Sequence, residues 1–245
     1  MEDIVIGRNS VLELIKSGKD VNKLYIQKGV RHGSINEIIS KAKESKIVIK
    51  EIEKSKLDEM CDNQNHQGVI ATVPPYEYSD VDDILNLAKE KNENPFIIIL
   101  DEIEDPHNLG SIIRTAECAG AHGVIIPKRR SAEVNSTVNK TSAGAVQYVK
   151  VARVNNLNDT IKYLKENDVW VYGTDASAKE YYNEQNYSDG VAIVIGSEGY
   201  GMNKLVTKNC DFLVRIPLKG KVNSLNASVS AAIMMYEVVN QRMKK

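Results

Sequence analysis

The sequence is poor in cysteine, and its three cysteines lie far apart in the chain. Cys61, Cys118 and Cys210 are odd in number and form no Cys-x-x-Cys pair. A disulfide framework needs paired cysteines and a structural zinc site needs clustered ligands, so the sequence indicates neither. His66 also lacks a second ligand at metal-binding spacing. We therefore expect reduced thiols in a cytoplasmic protein, and no metal.

Long hydrophobic runs are lacking as well. No apolar run approaches the roughly 20 residues that a membrane-spanning helix needs. The first ten residues, MEDIVIGRNS, carry neither the basic region nor the apolar core of a signal peptide. Apolar residues at 42% and charged residues at 27% are ordinary for a globular protein, so the 245 residues are expected to bury a sizeable core in one large or two smaller domains. The sequence predicts no membrane association.

The sequence also lacks an excess of positive charge, since its formal net charge at pH 7 is −1. Proteins that bind RNA or DNA are usually basic, so nucleic-acid binding by this chain would depend on a local cluster of cations. Lys128, Arg129 and Arg130 form the densest cationic run, which we interpret as phosphate-binding, with a solvated surface run as the alternative. Cations that would extend it are Lys140, Arg153, Lys219 and Lys221.

Residues 1–75 alternate between strand-like and helix-like patterns, which predicts a small α/β domain. The first helix is expected to begin near Asn9 or Ser10 and to end at Gly18. Two prolines, Pro74 and Pro75, stand where the alternation stops, so we place a linker at 76–92 that includes a helix at about 80–91. The predicted strands are Lys23–Gln27, Ile47–Lys50 and Gly68–Val73, and the predicted helices are 34–45 and 53–60.

Residues 93–245 carry uninterrupted apolar strands, most of them separated by helix-like segments, which is typical of a parallel sheet covered on both faces. Ligands of such sheets bind at the carboxyl ends of the strands. Three stretches, 105–120, 193–203 and 212–239, place polar residues at those ends, so we expect them to converge. The predicted strands are Phe96–Leu100, Gly123–Pro127, Val169–Gly173, Val191–Gly196 and Phe212–Pro217.

An arginine stands out in the first of these stretches. Arg114 follows Asn108 by six residues and lies between one and two turns into a predicted helix. Its neighbours Ile112 and Ile113 are apolar, so its guanidinium needs an anion or a carboxylate partner unless it is simply exposed. We treat Arg114 as a candidate site residue.

The other two stretches combine close backbone approach with polar side chains. Three glycines within Gly196–Gly201 allow backbone amides to approach a ligand, although a tight turn alone would also use glycine. The last helix is expected to carry Ser224, Asn226, Ser228 and Ser230 in its first two turns, either as the wall of a site or as a plain cap.

Together the three stretches resemble the three motifs of the SpoU (TrmH-type) ribose 2′-O-methyltransferases, over about 95–240. The resemblance implies a SPOUT domain with a parallel sheet and a deep trefoil knot, whereas the strand pattern alone favours an ordinary doubly wound fold. The matching residues are Asn108, Gly110 and Arg114 in the first stretch, Gly196, Glu198, Gly199 and Gly201 in the second, and Ile216, Pro217, Ser224, Leu225, Asn226 and Ser228 in the third.

The resemblance also implies the chemistry. S-adenosylmethionine would bind in the knot and supply an activated methyl group to a ribose 2′-hydroxyl of RNA. Arg114 would activate that hydroxyl as a base or, because a guanidinium with a pKa above about 12 is a poor base, act as a clamp for phosphate and alkoxide. Glu198 would hold the site together by bonding loop groups or Asn108, with a purely structural carboxylate as the alternative. Ser224 and Asn226 would position the hydroxyl or relay its proton. The cofactor-binding residues implied are Gly196, Gly199, Ile216, Leu225 and Ser228.

Gly7-Arg8-Asn9 and His66-Gln67-Gly68 resemble the RNA-binding domain, of ribosomal-protein-like fold, that precedes the catalytic domain in one branch of the family. Arg8 would contact RNA, with a solvated charge as the alternative. In the family the last helix helps to bury a homodimer interface, which agrees with apolar residues such as Met234 and Met235 on more than one of its faces.

The two-domain layout is most similar to the branch that methylates a guanosine in the P loop of 23S ribosomal RNA. Lys219 and Lys221 depart from the smaller residues expected beside Gly220, so tRNA or another 23S site is the alternative substrate. A noncatalytic RNA-binding protein is a further alternative. A nicotinamide-dependent oxidoreductase is disfavoured because the sequence has no Gly-x-Gly-x-x-Gly motif with an acidic residue at the expected distance.

Overall fold

The computed structural model describes residues 3–31 and 33–243 and divides into two compact units. One comprises Met1–Glu77 and Glu133–Tyr148, and the other comprises Tyr78–Ala132 and Val149–Lys245. Residues 1, 2 and 32 of the predicted first domain and residues 244 and 245 of the predicted second domain lie outside the described residues. None of the described helices is both long and apolar enough to cross a membrane.

The first unit is built on a four-stranded sheet of β1 (Asp3–Ile6), β2 (Lys23–Gln27), β3 (Ile49–Ile52) and β4 (Val69–Val73). The strand order is β1-β4-β2-β3, in which β4 runs antiparallel to β1 and β2, and β2 runs parallel to β3. The observed β2 has the predicted bounds, and the alternation of buried and part-exposed residues along it reflects one covered face.

Three helices of the first unit are α1 (Arg8–Lys16), α2 (Ser34–Glu44) and α3 (Lys54–Met60). Helix α1 begins at Arg8, slightly earlier than predicted, directly after a glycine with a φ of 91°. Strand β3 begins two residues later than predicted because the N–H of Ile47 still bonds the carbonyl of Ala42 at the end of α2 (2.8 Å).

A segment that the sequence assigned to the second domain belongs to the first unit. Glu133–Tyr148 contains a short 3₁₀ helix and α6 (Ser136–Thr141), which follows α4 (Val81–Glu90) and α5 (Pro106–Cys118) of the second unit along the chain. The Ser10 hydroxyl donates to the carbonyl of Asn139 (3.1 Å), and the Tyr148 hydroxyl donates to Glu13 Oε2 (2.7 Å). These contacts join residues more than a hundred positions apart, which local sequence patterns do not reveal.

The second unit is built on a seven-stranded sheet in which every described strand pair is parallel, as expected from the uninterrupted apolar runs. The strands are β5 (Phe96–Asp101), β6 (Gly123–Pro127), β7 (Lys150–Val154), β8 (Val169–Thr174), β9 (Glu180–Tyr181), β10 (Gly190–Gly196) and β11 (Phe212–Arg215). Their order across the sheet is β7-β6-β5-β10-β8-β11-β9. Strands β7 and β9 were not predicted, because β7 carries two cations and β9 has only two residues.

Helices cover this sheet. They are α4 (Val81–Glu90), α5 (Pro106–Cys118), α7 (Leu157–Glu166), α8 (Lys204–Asn209) and α9 (Ala227–Arg242). Helix α4 falls within the predicted linker at 76–92, yet it buries Ile84, Leu85 and Ala88 in the core of the second unit. Burial of one apolar face therefore fixes α4 to the sheet.

The strand order determines where a ligand site forms. Because β10 lies between β5 and β8, and β11 follows β8, the carboxyl ends of four strands lie side by side. These ends are Asp101, Thr174, Gly196 and Arg215. The three polar stretches of the sequence leave the sheet at this edge.

Candidate active site

A carboxylate at the sheet edge joins all three stretches. Glu198 Oε1 accepts hydrogen bonds from Asn226 Nδ2 (2.6 Å), the Ala227 N–H (3.0 Å) and Asn108 Nδ2 (3.2 Å). Asn226 Nδ2 also donates to Asn108 Oδ1 (2.9 Å). Asn108, Glu198 and Asn226 are called the Glu198 cluster below. A carboxylate acceptor strengthens each of these bonds, so the cluster holds three distant chain segments in one geometry.

The last helix begins later than the sequence suggested. Helix α9 starts at Ala227, with Asn226 as its N-cap, so the prediction that Ser224 lies within its first two turns is wrong. Asn226 Oδ1 accepts from the Ser228 N–H (3.0 Å), the Ser228 hydroxyl (2.5 Å) and the Val229 N–H (3.3 Å). Asn226 thus serves as cap and as cluster member, while Ser224 lies in the preceding loop.

The loop that carries Glu198 is a closed hairpin. Ser197 and Gly201 exchange two backbone hydrogen bonds (3.1 and 2.8 Å), and Gly201 has a φ of 68°, which favours glycine. A Cβ at Gly196 would lie only 2.3 Å from the carbonyl carbon of Gly201. Both glycines are therefore required by the turn itself, which presents Glu198 and Gly199 at its tip.

Asp101 anchors this hairpin and was missed in the sequence analysis. It ends β5, is 4% exposed, and its Oδ2 accepts from the Asn203 N–H (2.6 Å). Burial raises the pKa of the Asp101 carboxyl, and the bond from Asn203 partly opposes that effect. An acidic residue that closes the apolar run FIIIL was the available sequence signal.

A cavity of about 480 Å³ opens at the carboxyl ends of β8, β10 and β11, within the size range of small-molecule sites. We call it the carboxyl-end cleft. Of the predicted cofactor-binding residues, Gly196, Gly199, Ile216 and Leu225 line it, whereas Ser228 does not. Further lining residues include Thr174, Asp175, Met202, Asn223, Ser224 and Glu198. The cleft therefore combines apolar walls with polar groups and adjoins the Glu198 cluster.

Arg114 occupies a different environment from the Glu198 cluster. Helix α5 turns Leu109, Ile112 and Ile113 into the core, and Arg114 is exposed. No described residue forms a hydrogen bond or an ion pair with its guanidinium, so the carboxylate partner considered from the sequence is not found among them. Arg114 is therefore simply exposed, which is the alternative considered from the sequence.

The cationic run after β6 is only partly free. Lys128 and Arg129 are exposed, whereas Arg130 Nη1 pairs with Glu102 Oε1 (2.9 Å). The side chain of Arg130 remains 71% exposed, so this ion pair contributes little stability and can exchange for a phosphate.

In the first unit, the two stretches singled out from the sequence lie together. Arg8 Nε donates to the Gln67 carbonyl (2.9 Å), and the Arg8 N–H donates to Gln67 Oε1 (3.0 Å). His66 is buried, with Nε2 3.0 Å from Asp58 Oδ1 and Nδ1 accepting from the Gly68 N–H (2.9 Å). Arg8, His66 and Gln67 line a cavity of about 380 Å³. Among the described residues no cluster of three His, Cys, Asp or Glu side chains is arranged to hold a metal.

Comparison with known proteins agrees with this geometry. The profile of the SpoU rRNA Methylase family matches residues 95–236, and the profile named RNA 2'-O ribose methyltransferase substrate binding matches residues 4–79. The chain is 50% identical over 240 residues to the putative TrmH family tRNA/rRNA methyltransferase YacO of Bacillus subtilis, covering 98% of this chain and 96% of that protein. It is 52% identical over 243 residues to a putative TrmH family tRNA/rRNA methyltransferase of Staphylococcus haemolyticus, covering 99% and 97%.

Solved structures share the fold. The SpoU methyltransferase AviRb from Streptomyces viridochromogenes superposes with a TM-score of 0.84 at 24% identity, over 99% of this chain and 90% of that one. An rRNA methyltransferase from Sinorhizobium meliloti, described as AdoMet-bound, superposes with a TM-score of 0.80 at 23% identity, over 98% and 87%. The similarity to both extends through both units of the chain.

Proposed function

The chain belongs to the SpoU rRNA methylase family, and we propose that it transfers a methyl group from S-adenosylmethionine to the 2′-hydroxyl of a guanosine in the P loop of 23S ribosomal RNA, as RlmB does. The observation that carries the proposal is the Glu198 cluster. It joins one residue from each of the three family motifs beside a cleft of cofactor size. A ribosomal RNA substrate implies a cytoplasmic location.

The carboxyl-end cleft fits S-adenosylmethionine by the chemistry of its walls. Ile216, Leu225 and Met202 offer apolar surface to an adenine ring, and Thr174 and Asn223 offer polar groups. A Cβ placed on Gly199 would meet nothing within 4 Å, so the backbone there is open to a ligand. When bound, the cofactor supplies a methyl group already activated by its sulfonium.

The residues of this chain have to align the hydroxyl and accommodate its charge. We propose that the Glu198 cluster fixes the start of α9, so that Ser224 and Asn226 position the ribose. A guanidinium is a poor base, so we assign Arg114 to clamping the adjacent phosphate and stabilising the negative charge that develops on the 2′-oxygen as its proton passes to solvent. Its exposure and its lack of a described partner support this assignment.

Cations are the proposed contacts of the RNA. Lys128 and Arg129 are exposed at the end of β6, and Arg130 adjoins them. Arg8, bound to Gln67 in the unit that matches the substrate-binding profile, is the proposed contact there. Such local groups compensate for the net charge of −1.

We also propose a homodimer and the trefoil knot of the family. Helix α9 leaves Val229 and Tyr236 exposed although it buries Met234 and Met235 on another face. Apolar side chains on two faces of one helix support a second packing surface, which a partner copy would cover.

Transfer of labelled methyl from S-adenosylmethionine tests the reaction. The purified chain would be incubated with unmodified transcripts of the P-loop region and of tRNA, and the product mapped by nuclease digestion. We expect 2′-O-methylguanosine in the P loop. A matched transcript with 2′-deoxyguanosine at that position should accept no methyl.

Two outcomes would overturn parts of the proposal. Methylation confined to tRNA or to another 23S position would replace the substrate. Cofactor binding without transfer to any RNA, including RNA from ribosome-assembly intermediates of a deletion strain, would favour a noncatalytic RNA-binding protein.

A further inference from the structure

A cationic group lies at the carboxyl edge of the sheet. Arg215 ends strand β11, and its register partner on the neighbouring strand β9 is Tyr181. The Arg215 Cζ atom lies 4.4 Å from the centroid of the Tyr181 ring. The guanidinium is therefore in cation–π contact with an aromatic ring, which limits its motion and covers part of it.

This guanidinium is left without a hydrogen-bond acceptor. Arg215 Nε is buried and has no partner, and no described carboxylate or carbonyl bonds to any other nitrogen of the group. Nearby carboxylates are already engaged. Asp175 Oδ1 accepts from the N–H and the hydroxyl of Ser177 (2.7 Å each), and Glu184 Oε2 accepts from the Tyr181 N–H (3.0 Å).

Burying a charged donor without an acceptor is unfavourable, and native proteins usually satisfy such groups. A half-buried guanidinium whose buried Nε has no partner therefore indicates a ligand with oxygen acceptors. Planar N–H donors suit phosphate and carboxylate oxygens in particular.

The space beside Arg215 restricts the size of that ligand. A cavity of about 170 Å³ is lined by Arg215, Tyr181 and Lys219. We call it the Arg215 pocket. It is well below the range of about 300–1,000 Å³ typical of sites for whole small molecules, so it suits one oxyanion group of a larger ligand.

The Arg215 pocket adjoins the carboxyl-end cleft, because Ile216 and Leu218 line both. Strand β11 is two positions from β10, which leads into the Glu198 hairpin, so about 10 Å separates the two strands. A ligand that reaches both sites must extend along the sheet edge, as a polynucleotide strand does.

We propose that the Arg215 pocket binds a backbone phosphate of the RNA strand, close to the nucleotide that is methylated. Arg215 provides the directed donors, Tyr181 holds its plane, and Lys219 adds a second positive charge at the mouth. The inference rests on the proposed function only in taking RNA as the ligand. It assigns a phosphate-binding role to two cations in a chain that carries no excess of positive charge.

Direct RNA binding tests the proposal. The affinity of the full-length chain for a P-loop transcript would be measured across a series of salt concentrations, for the wild type, Arg215→Gln, Arg215→Lys and Lys219→Gln. Lys162→Gln is the matched control, because it removes one exposed charge on α7, away from the sheet edge. Cofactor affinity would be measured by calorimetry and folding by thermal denaturation.

We expect Arg215→Gln to weaken RNA binding by roughly tenfold. The slope of log affinity against log salt should fall by about 0.7 to 0.9, the value for one phosphate contact. Arg215→Lys should keep the slope, Lys219→Gln should reduce it, and cofactor affinity should not change. Lys219→Gln leaves the aromatic stack intact, so it carries the test if Arg215→Gln melts early.

Two results would overturn the assignment. If both Arg215→Gln and Lys219→Gln bind RNA with the salt slope of Lys162→Gln, the pocket holds no phosphate. If cofactor affinity falls while RNA affinity stays, the oxyanion is the carboxylate of the cofactor. Because RNA binding is measured without turnover, an inactive wild type would refute the proposed methyl transfer and leave this inference standing or falling on its own data.

Discussion

The two ends of the parallel sheet use arginine in opposite ways. At the amino ends, Arg242 of α9 donates to the carbonyls of Asn94 (2.9 Å), Pro95 (3.1 Å), Tyr187 (3.2 Å) and Asp189 (2.7 Å). Burial lowers the pKa of its guanidinium, the cost that these carbonyls offset. All three nitrogens of this guanidinium therefore donate hydrogen bonds within the fold.

By contrast, Arg215 at the carboxyl end of β11 and Arg114 on the exposed surface of α5 have no hydrogen-bond acceptor among the described residues. Arg215 lies where α/β sheets bind ligands. In this chain, a structural arginine differs from a proposed substrate-binding one in its bonding partners more than in its exposure. The changes that follow affect either a group proposed to act on the substrate or a group that stabilises the fold.

Replacing Arg114 with alanine should have the largest effect, and on activity alone. Loss of a group that stabilises developing negative charge typically lowers the rate by about 10²- to 10³-fold. Because Arg114 is exposed and unpaired, the melting temperature should stay within the range of surface variants. Initial rates of methyl transfer and thermal denaturation check both halves, with Lys162→Gln as the control. A rate within fivefold of the wild type would remove Arg114 from the reaction.

Replacing Arg242 with alanine should do the reverse. Four backbone carbonyls would lose a charged donor, and the free energy of unfolding should fall by about 3 kcal/mol. Methyl transfer per folded molecule should be unchanged below the unfolding transition. Urea denaturation measures the loss, and Arg242→Lys should lie between the wild type and alanine. Unchanged stability would contradict a structural role for this arginine.

Replacing Glu198 with glutamine tests the charge of the Glu198 cluster at the carboxyl end of the sheet. Glutamine keeps an acceptor oxygen but removes the charge that strengthens three hydrogen bonds, so kcat/KM should fall by roughly tenfold, or about 1.4 kcal/mol. Glu166→Gln, on the exposed end of α7, is the control. If Glu198→Gln matched that control, the charge of the cluster would have no part in positioning α9.

The smallest effect concerns His122 at the amino end of the sheet. Burial lowers the pKa of this imidazole, against the opposing influence of Glu93, and its Nδ1 accepts from the Phe96 N–H (3.0 Å). The unfolded chain therefore binds a proton first as pH falls, and the folded state loses stability below about pH 6.5, by at most about 1.4 kcal/mol per pH unit. That stability is fully present above the unfolded pKa.

His122→Asn should remove this part of the pH dependence, because asparagine offers an acceptor oxygen but does not titrate. Urea denaturation of both proteins at about pH 7.5, 6.5 and 5.5 measures the difference. Parallel curves for wild type and variant would show that His122 is not the group responsible.

Patterns within one stretch of chain predicted much of the fold. Strand β6 has the predicted bounds, Gly123–Pro127, because a strand buried on both faces is apolar throughout. The convergence of the three polar stretches followed from the parallel sheet, since all its carboxyl ends share one edge.

What escaped prediction depends on contacts between distant residues. Strand β7 reads as polar, yet it pairs with β6, and the cation Arg153 donates to the Lys128 carbonyl (3.2 Å). The start of α9 could not be read from SLNAS, since Asn226 became the cap through its own side-chain geometry. The Arg215 pocket could not be seen either, because Tyr181 lies 34 positions earlier and meets Arg215 only through strand pairing.

The Glu198 cluster also determines how early during synthesis the chain can become active. Its members are separated by 90 and 28 positions along the sequence, so no short fragment contains all three. Contacts of such long range form slowly, after the loops that connect them have closed. Helix α9 begins at the cluster, so the cluster cannot form before Asn226 has left the ribosome. During synthesis, therefore, the chain should acquire its active geometry only after the whole segment from Asn108 to Asn226 has emerged, which separates the folding of the first strands from the start of activity.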